Sequence, residues 1–476
     1  MDIPEPRALQ ERLEAPSVQS VTRYLLIARL ALVVSVVSCP LWLGALFFTS
    51  PEDYSITSSL VCVPILAVAG VFAVAVSTRH DPFLRRIISA GLFAHMAASA
   101  LFLWIGFVVY RGTTDAFHYW TVGLRRAEDF QILGWAAFPG PFWSTNLISN
   151  ICGVMTLLIG DALPTLFIAF AFISLSGAFL FYRAFAIAFP HGDRWLFGIL
   201  VVLSPSLLFW SSFVGKDALI QLFIALACLG FAKVIERPSP TGVLMCAIGL
   251  CGALLVRGHV ASMLAIAITF PYAVNKSRAG GANKAVKIVL VPLLAVGTYV
   301  LITNAKNMID LSSEQSTSVV GEADTVATTS QIGGSAFNQG TSLAVRIAES
   351  PFLMFRPFPW EVHNLMGIAA AAESVGWIYL CWSRRRELWW TIRRWRDPYI
   401  GFLLVYAAIF MITFGGAIGN FGILLRQRIM LTPLALMLIC AKAKPLTQDG
   451  IRESRENWQR SRIGGTWGPA RISIPR

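Results

Sequence analysis

The sequence predicts an all-α, polytopic helical membrane protein, and three observations carry that reading. Of its 476 residues 56% are hydrophobic and 14% charged, with a mean hydropathy of +0.64. A soluble chain of that make-up would expose more apolar surface than its polar residues can cover. Apolar runs of the length that crosses a hydrocarbon core, roughly 20 residues for ~30 Å, recur from residue 24 to residue 441. The net charge of +13 is carried by short segments between those runs, the pattern by which cytoplasmic loops orient a membrane protein, so nucleic acid is not the expected partner.

Full spans are expected near 24–48, 57–77, 87–110, 164–182, 195–212, 217–235, 240–256, 259–274, 285–304, 362–382, 398–418 and 426–441, about twelve in all. The segment 147–160, Leu147 to Gly160, is apolar but short, and fits a re-entrant or interfacial helix better than a crossing. With that piece not crossing, both termini and the loops 78–86, 183–194, 236–239, 275–284 and 383–397 are cytoplasmic and hold most of the lysines and arginines, including Arg384, Arg385, Arg386, Arg393, Arg394 and Arg396. If it crossed, the 384–396 cluster would move outside, against the positive-inside bias.

The chain therefore divides into a cytoplasmic N-terminal segment 1–23, a transmembrane domain 24–441 and a basic cytoplasmic tail 442–476. Loops 111–146 and 305–361 fall on the extracytoplasmic face, the second with a Ser/Thr/Gly-rich middle that reads as a lid-like stretch. The first span follows a mixed-charge segment with no small-residue cleavage site, so it is expected to stay as an anchor. Eight cysteines fall almost entirely inside apolar runs, without CxxC or His/Cys ligand spacing; buried free thiols are expected, and no metal site.

The sharpest local feature is Arg111-Gly-Thr-Thr-Asp115-Ala-Phe-His118-Tyr119-Trp120, directly after an apolar run. A carboxylate where a span meets water suits proton abstraction from an acceptor hydroxyl, with Tyr119 and Trp120 flooring the site. The bland alternative is a helix cap supplied by Thr113, Thr114 or Asp115, followed by a short helix from Phe117 to Arg126. Lys216 and Asp217 sit in a tight turn between spans, either as an interfacial pair or with the lysine facing a phosphate. Arg257 and His259 interrupt an apolar stretch from 241 to 270, which a plain turn or an anion site explains.

Phe355-Arg356-Pro-Phe-Pro-Trp360-Glu361 stiffens an Arg/Glu pair with two prolines at the start of a span. Asn420-Phe-Gly-Ile-Leu-Leu-Arg426-Gln427-Arg428 sets two arginines at i and i+2, so at most one is expected to point into a bundle site, and the bland alternative is snorkelling to headgroups. Taken together, Asp115 and Glu361 are the candidate catalytic acids. Tyr119, Lys216, Asp217, Arg257, His259, Arg356, Trp360, Asn420, Arg426 and Arg428 are the candidate substrate-binding residues. A carboxylate and several cations on one face suit transfer of a group off a lipid phosphate that the bilayer supplies laterally.

These segments, Thr114-Asp115-Ala116 with Tyr119, Pro205-Ser-Leu-Leu-Phe-Trp-Ser-Ser-x-x-Gly-Lys-Asp217, Gly333-Gly-Ser-Ala-Phe337, Arg356-Pro-Phe-Pro-Trp-Glu361 and Asn420-Phe-Gly-Ile-Leu-x-Arg-Gln-Arg428, occur in an order that resembles bacterial multi-spanning glycosyltransferases of the GT-C superfamily associated with cell-surface polysaccharide. The resemblance covers about 110 to 440. It implies an inner-membrane enzyme with a polyprenyl-phosphate-linked saccharide as donor, Asp115 as the base, and membrane lipid and polysaccharide-assembly proteins as partners. No cofactor is implied. No second acid adjoins Asp115 as in some members, which leaves the need for a divalent cation open. An O-antigen-type polymerase would shift weight to Arg356, Arg426 and Arg428, and a lipid-linked sugar flippase or transporter would need no base.

Overall fold

A computed structural model describes residues 18–49, 56–274, 350–362, 365–415 and 421–442. Among these every regular element is helical. The first are α1 (Val18–Thr49), α2 (Ile56–Ser77), α3 (Pro82–Val108), α4 (Asp115–Leu133), α5 (Ser144–Ile159) and α6 (Leu163–Ala188). They are followed by α7 (Arg194–Leu203), α8 (Pro205–Ser211), α9 (Lys216–Glu236), α10 (Pro240–Val256) and α11 (Gly258–Val274). After short 3-10 turns at Ser350–Met354 and Pro359–Glu361 come α12 (Leu365–Ser383), α13 (Arg385–Arg393), α14 (Pro398–Gly415), α15 (Phe421–Arg428) and α16 (Thr432–Cys440).

Helix starts follow from local chemistry. Asp81 caps α3 by accepting the Leu84 N–H, Asp193 caps α7 through Leu196, and Ser239 caps α10 through Gly242. Proline takes the first turn of α3 and α10, where its missing N–H costs nothing.

Among the described residues five helices, α1, α2, α3, α6 and α9, are long and apolar enough to cross a membrane, or up to eight spans if each of three bent pairs counts as one. The pairs are α7 with α8 (43°), α13 with α14 (106°) and α15 with α16 (56°). The single span expected at 195–212 is thus broken. Pro205 supplies no N–H to continue α7, and Ser204 turns its hydroxyl back onto the Leu200 carbonyl. The runs 240–256 and 259–274 form helices of 17 residues each. The expected span 285–304, the lid-like middle of 305–361 and the tail beyond 442 lie outside the described residues, as does Asn420.

α3, α6 and α9 form the centre, where Phe102, Phe167, Phe170, Phe181 and Phe231 are buried. α1 packs along α3 and leaves large apolar side chains outward, as does α2: Leu41 is 69% exposed, Val68 70% and Phe72 70%. Such a face has no favourable solvent but hydrocarbon. Of the eight unpaired cysteines Cys39, Cys152, Cys228, Cys246 and Cys440 are buried, Cys62 and Cys381 are partly covered, and Cys251 is exposed on the apolar outside of α10.

The short piece expected near 147–160 is α5, and it pairs with α4 as a hairpin. The two backbones meet at Gly123 and Gly153: a Cβ on Gly123 would stand 2.8 Å from the Gly153 nitrogen, closer than packed atoms allow. Arg126 then ties the hairpin, donating to the Asn146 side chain at 3.0 Å and to Asn150 at 2.5 Å. This hairpin carries Asp115 and Tyr119 on one arm and Ser144 and Thr145 on the other.

Candidate functional site

Chain direction at Asp115 is set by the turn before it. Arg111 (φ 50°) and Gly112 (φ 77°) adopt left-handed backbone, reversing the chain between α3 and α4. Asp115 is the first residue of α4, and Thr114 is its cap residue but makes no side-chain cap bond. The Thr113 hydroxyl donates instead to the Tyr110 carbonyl at 2.6 Å. The capping alternative for Asp115 therefore fails: its carboxylate turns outward to Arg426, and α4 runs to Leu133, well past Arg126.

Arg426 joins two carboxylates of opposite character. Its Nη1 donates to Asp115 Oδ2 at 2.7 Å and its Nε to Asp217 Oδ2 at 2.5 Å. The Asp115 side chain is 58% exposed, whereas Asp217 is 1% exposed. The second oxygen of Asp217 accepts from Arg257 Nη2 at 2.6 Å, and Arg257 Nη1 donates to Gln427 at 2.5 Å. Both Asp217 oxygens are thus occupied by guanidinium groups, the condition under which a carboxylate tolerates burial. Asp217 is a structural counter-ion, and Asp115 is the carboxylate open to the surroundings.

Lys216 and Asp217 are not the interfacial pair that adjacency suggests. Lys216 donates to the Ser144 and Thr145 hydroxyls of α5, each at 2.9 Å. Beneath the cluster the Phe213 ring lies 5.7 Å from the Arg426 guanidinium carbon and stacks on Phe102. One turn into α4, Tyr119 is buried; burial and then the Asp115 charge push its phenol up to about 12, so it is a neutral hydrogen-bond donor across the physiological range. Three cations, Lys216, Arg257 and Arg426, stand around two carboxylates. Two polar atoms here are buried without a partner, Arg257 Nε and His259 Nε2, the latter ring edge-on to Phe414. Surplus positive charge and the unused Arg257 Nε–H together are the makings of an anion site.

A second network lies on the other side of α15. Arg428 is 2% exposed and donates to the carbonyls of Met354 and Arg356, each at 3.0 Å, and to the Ser374 and Ser206 hydroxyls. Glu373 faces it at 3.8 Å and accepts from the Ser206 N–H at 3.1 Å and from the Ser206 hydroxyl. Of the two arginines only Arg426 joins the Asp115 cluster, and neither takes the snorkelling alternative. Both are taken up inside the protein, on different faces, because two buried acids on different helices await them. Both Nη groups of Arg428 are taken up by protein groups where a substrate contact was expected, and its Nε is buried without a partner.

Glu361 also departs from its expected role. Its carboxylate holds Arg356 through contacts of 2.5 and 3.3 Å and accepts the Phe358 N–H at 2.8 Å, so it clamps its own Pro-rich turn. It joins no contact with the Asp115 cluster among the described residues. Trp360 is 76% exposed and stacks on Phe358. The structure thus brings together Asp115, Tyr119, Lys216, Asp217, Arg257 and Arg426, with His259 beside them, and leaves Arg356, Trp360 and Glu361 on a neighbouring arm.

Glu373 went unnoticed in the sequence, although a carboxylate inside the apolar run 362–382 was itself the signal. Ser144 and Thr145 had no such signal, being ordinary hydroxyls before an apolar helix. Among the described residues no group of three His, Cys, Asp or Glu side chains is placed to hold a metal ion. No protein-family model, curated protein or solved structure matches the chain.

Proposed function

We propose that the chain is an integral membrane glycosyltransferase of GT-C type that moves a sugar from a polyprenyl-phosphate-linked donor at the extracytoplasmic face of a bacterial inner membrane, in the synthesis of cell-surface polysaccharide. Both termini are then cytoplasmic. The observation that carries the reading is the division of labour around Arg426: one carboxylate exposed, one buried, and cations in excess.

In this scheme the Asp115 carboxylate takes the proton of an acceptor hydroxyl as the acceptor oxygen bonds to the anomeric carbon. The bond from that carbon to the phosphate oxygen breaks, and the electron pair leaves with the phosphate. Arg426, Lys216 and the unused Arg257 nitrogen meet that charge. Tyr119 gives the site a neutral wall. The segment resemblance supplies the substrate class.

The test is transfer by the purified full chain in proteoliposomes supplied with labelled polyprenyl-phosphate sugars. Asp115→Asn should abolish the new glycosidic bond at unchanged protein level and insertion. Full activity of that variant would remove the mechanism. Loss in Arg426→Ala with activity retained in Asp115→Asn would favour the O-antigen-type polymerase, a reading weakened by the burial of Arg428. Lipid movement without any new bond would identify a transporter.

A further inference from the structure

The helix α13 presents one exposed face on which Arg385, Arg386, Trp389, Trp390 and Arg393 recur at helical spacing, while Leu388 and Thr391 pack inward. The rings and guanidinium groups are interleaved: the Arg385 guanidinium lies 4.6 Å from the Trp382 ring centre, and that of Arg393 lies 4.8 Å from Trp389. Trp389 is 55% and Trp390 59% exposed. Bulky indoles on an outer face have a large apolar area to cover, and the arginines among them demand an anionic neighbour.

Position within the fold says what that neighbour is. Arg384, immediately before α13, is bonded at 2.6 Å to Asp193, which stands just beyond the end of α6. The same Asp193 accepts from the hydroxyl of Tyr24, near the start of the apolar stretch Thr22–Gly44, and its N–H donates to the carbonyl of Cys440, the last residue of α16. Three apolar helices therefore end at the level where α13 begins. α13 makes 106° with the apolar helix α14 that follows it, so it turns aside from that helix's direction at this level.

We propose that α13 is an interfacial helix that binds anionic phospholipid headgroups, its arginines on the phosphates and Trp389 and Trp390 at the boundary with the acyl chains. Arg385, Arg386 and Arg393, with Arg394 beside them, outnumber Glu387 and Asp397, so the complementary surface is negative. This surface lies apart from the Asp115 cluster and does not depend on the sugar-transfer reading.

The purified full chain, equilibrated in detergent with equal amounts of phosphatidylglycerol and phosphatidylcholine, should retain the anionic lipid preferentially when weighed by native mass spectrometry. Replacing all three, Arg385→Gln, Arg386→Gln and Arg393→Gln, should reduce that preference roughly tenfold or more. Equal retention of both lipids by the unaltered protein, or an undiminished preference in a triple variant whose melting temperature is unchanged, would overturn the proposal. In nanodiscs with brominated acyl chains, the fluorescence lost on Trp389→Phe with Trp390→Phe should be a quenched component. A component quenched by aqueous acrylamide and untouched by the brominated lipid would also overturn it.

Discussion

The Arg426 guanidinium donates to the Asp115 carboxylate across 2.7 Å, closing 311 residues of chain between the turn after α3 and the helix before α16. The contact has a chemical consequence. A phosphate arriving beside Arg426 competes with Asp115 for the same donor. In the proposed reaction the sugar donor thus frees the Asp115 carboxylate for the acceptor hydroxyl, while Asp217 keeps Arg426 in place from behind at 2.5 Å.

Asp115→Asn should lower transfer by ~10²–10⁴-fold, the usual contribution of a positioned acid or base. Its effect on stability should be small, since an exposed ion pair contributes about 0.2–1 kcal/mol. Turnover in proteoliposomes and thermal melting in detergent separate the two. A large drop in melting temperature would mean that Asp115 holds the fold.

Asp217→Asn should do the reverse. Removing one partner of a buried ion pair costs about 3–5 kcal/mol, and here Arg257 loses its counter-ion while Arg426 keeps only the exposed Asp115. Melting temperature should fall well below that of Asp115→Asn. Equal melting of the two variants would contradict the assignment of Asp217 as structural.

The contrast between these two aspartates marks how far the sequence could be read. Helical class, a helix following Asp115 and the costliness of Arg257 among apolar neighbours were legible, because charge beside hydrocarbon is a local signal; that this helix pairs with the next one as a hairpin was not. Which aspartate is buried was not, since it depends on where α15 packs. Adjacency misled at Lys216 and Asp217, whose side chains leave the α9 terminus toward different helices. Spacing misled at Arg426 and Arg428: two residues on opposite faces can both be interior when the helix lies between two acids. Glu373 was legible but unread, and the breaks within 195–212 and 421–440 turn on proline and packing together.

Glu373 and Arg428 should behave as one unit. Either Arg428→Met or Glu373→Leu leaves a buried charge alone and should cost about 3–5 kcal/mol. The double variant should lose less than the sum, with a coupling of about 0.5–3 kcal/mol. Melting of the four proteins measures this directly. Additive losses would mean that Arg428 is held by the Met354 and Arg356 carbonyls and the serine hydroxyls without Glu373.

The Asp193 cluster predicts a pH dependence with a definite sign. Burial pushes this carboxyl up, but the hydrogen bond from Arg384 and the charges of Lys442 and Arg384 outweigh it and hold the group below its ordinary 3.8. A carboxyl lowered by folding binds fewer protons in the folded than in the unfolded chain. Its contribution is therefore complete above about pH 4 and is lost as pH falls through the folded value. Melting temperature should be insensitive to this group between pH 7 and pH 5 and decline below about pH 4. In Arg384→Met burial is no longer opposed by the strongest partner, so the decline should begin at higher pH. An unshifted onset in that variant would show that Lys442 and the Leu196 N–H suffice to keep Asp193 ionised.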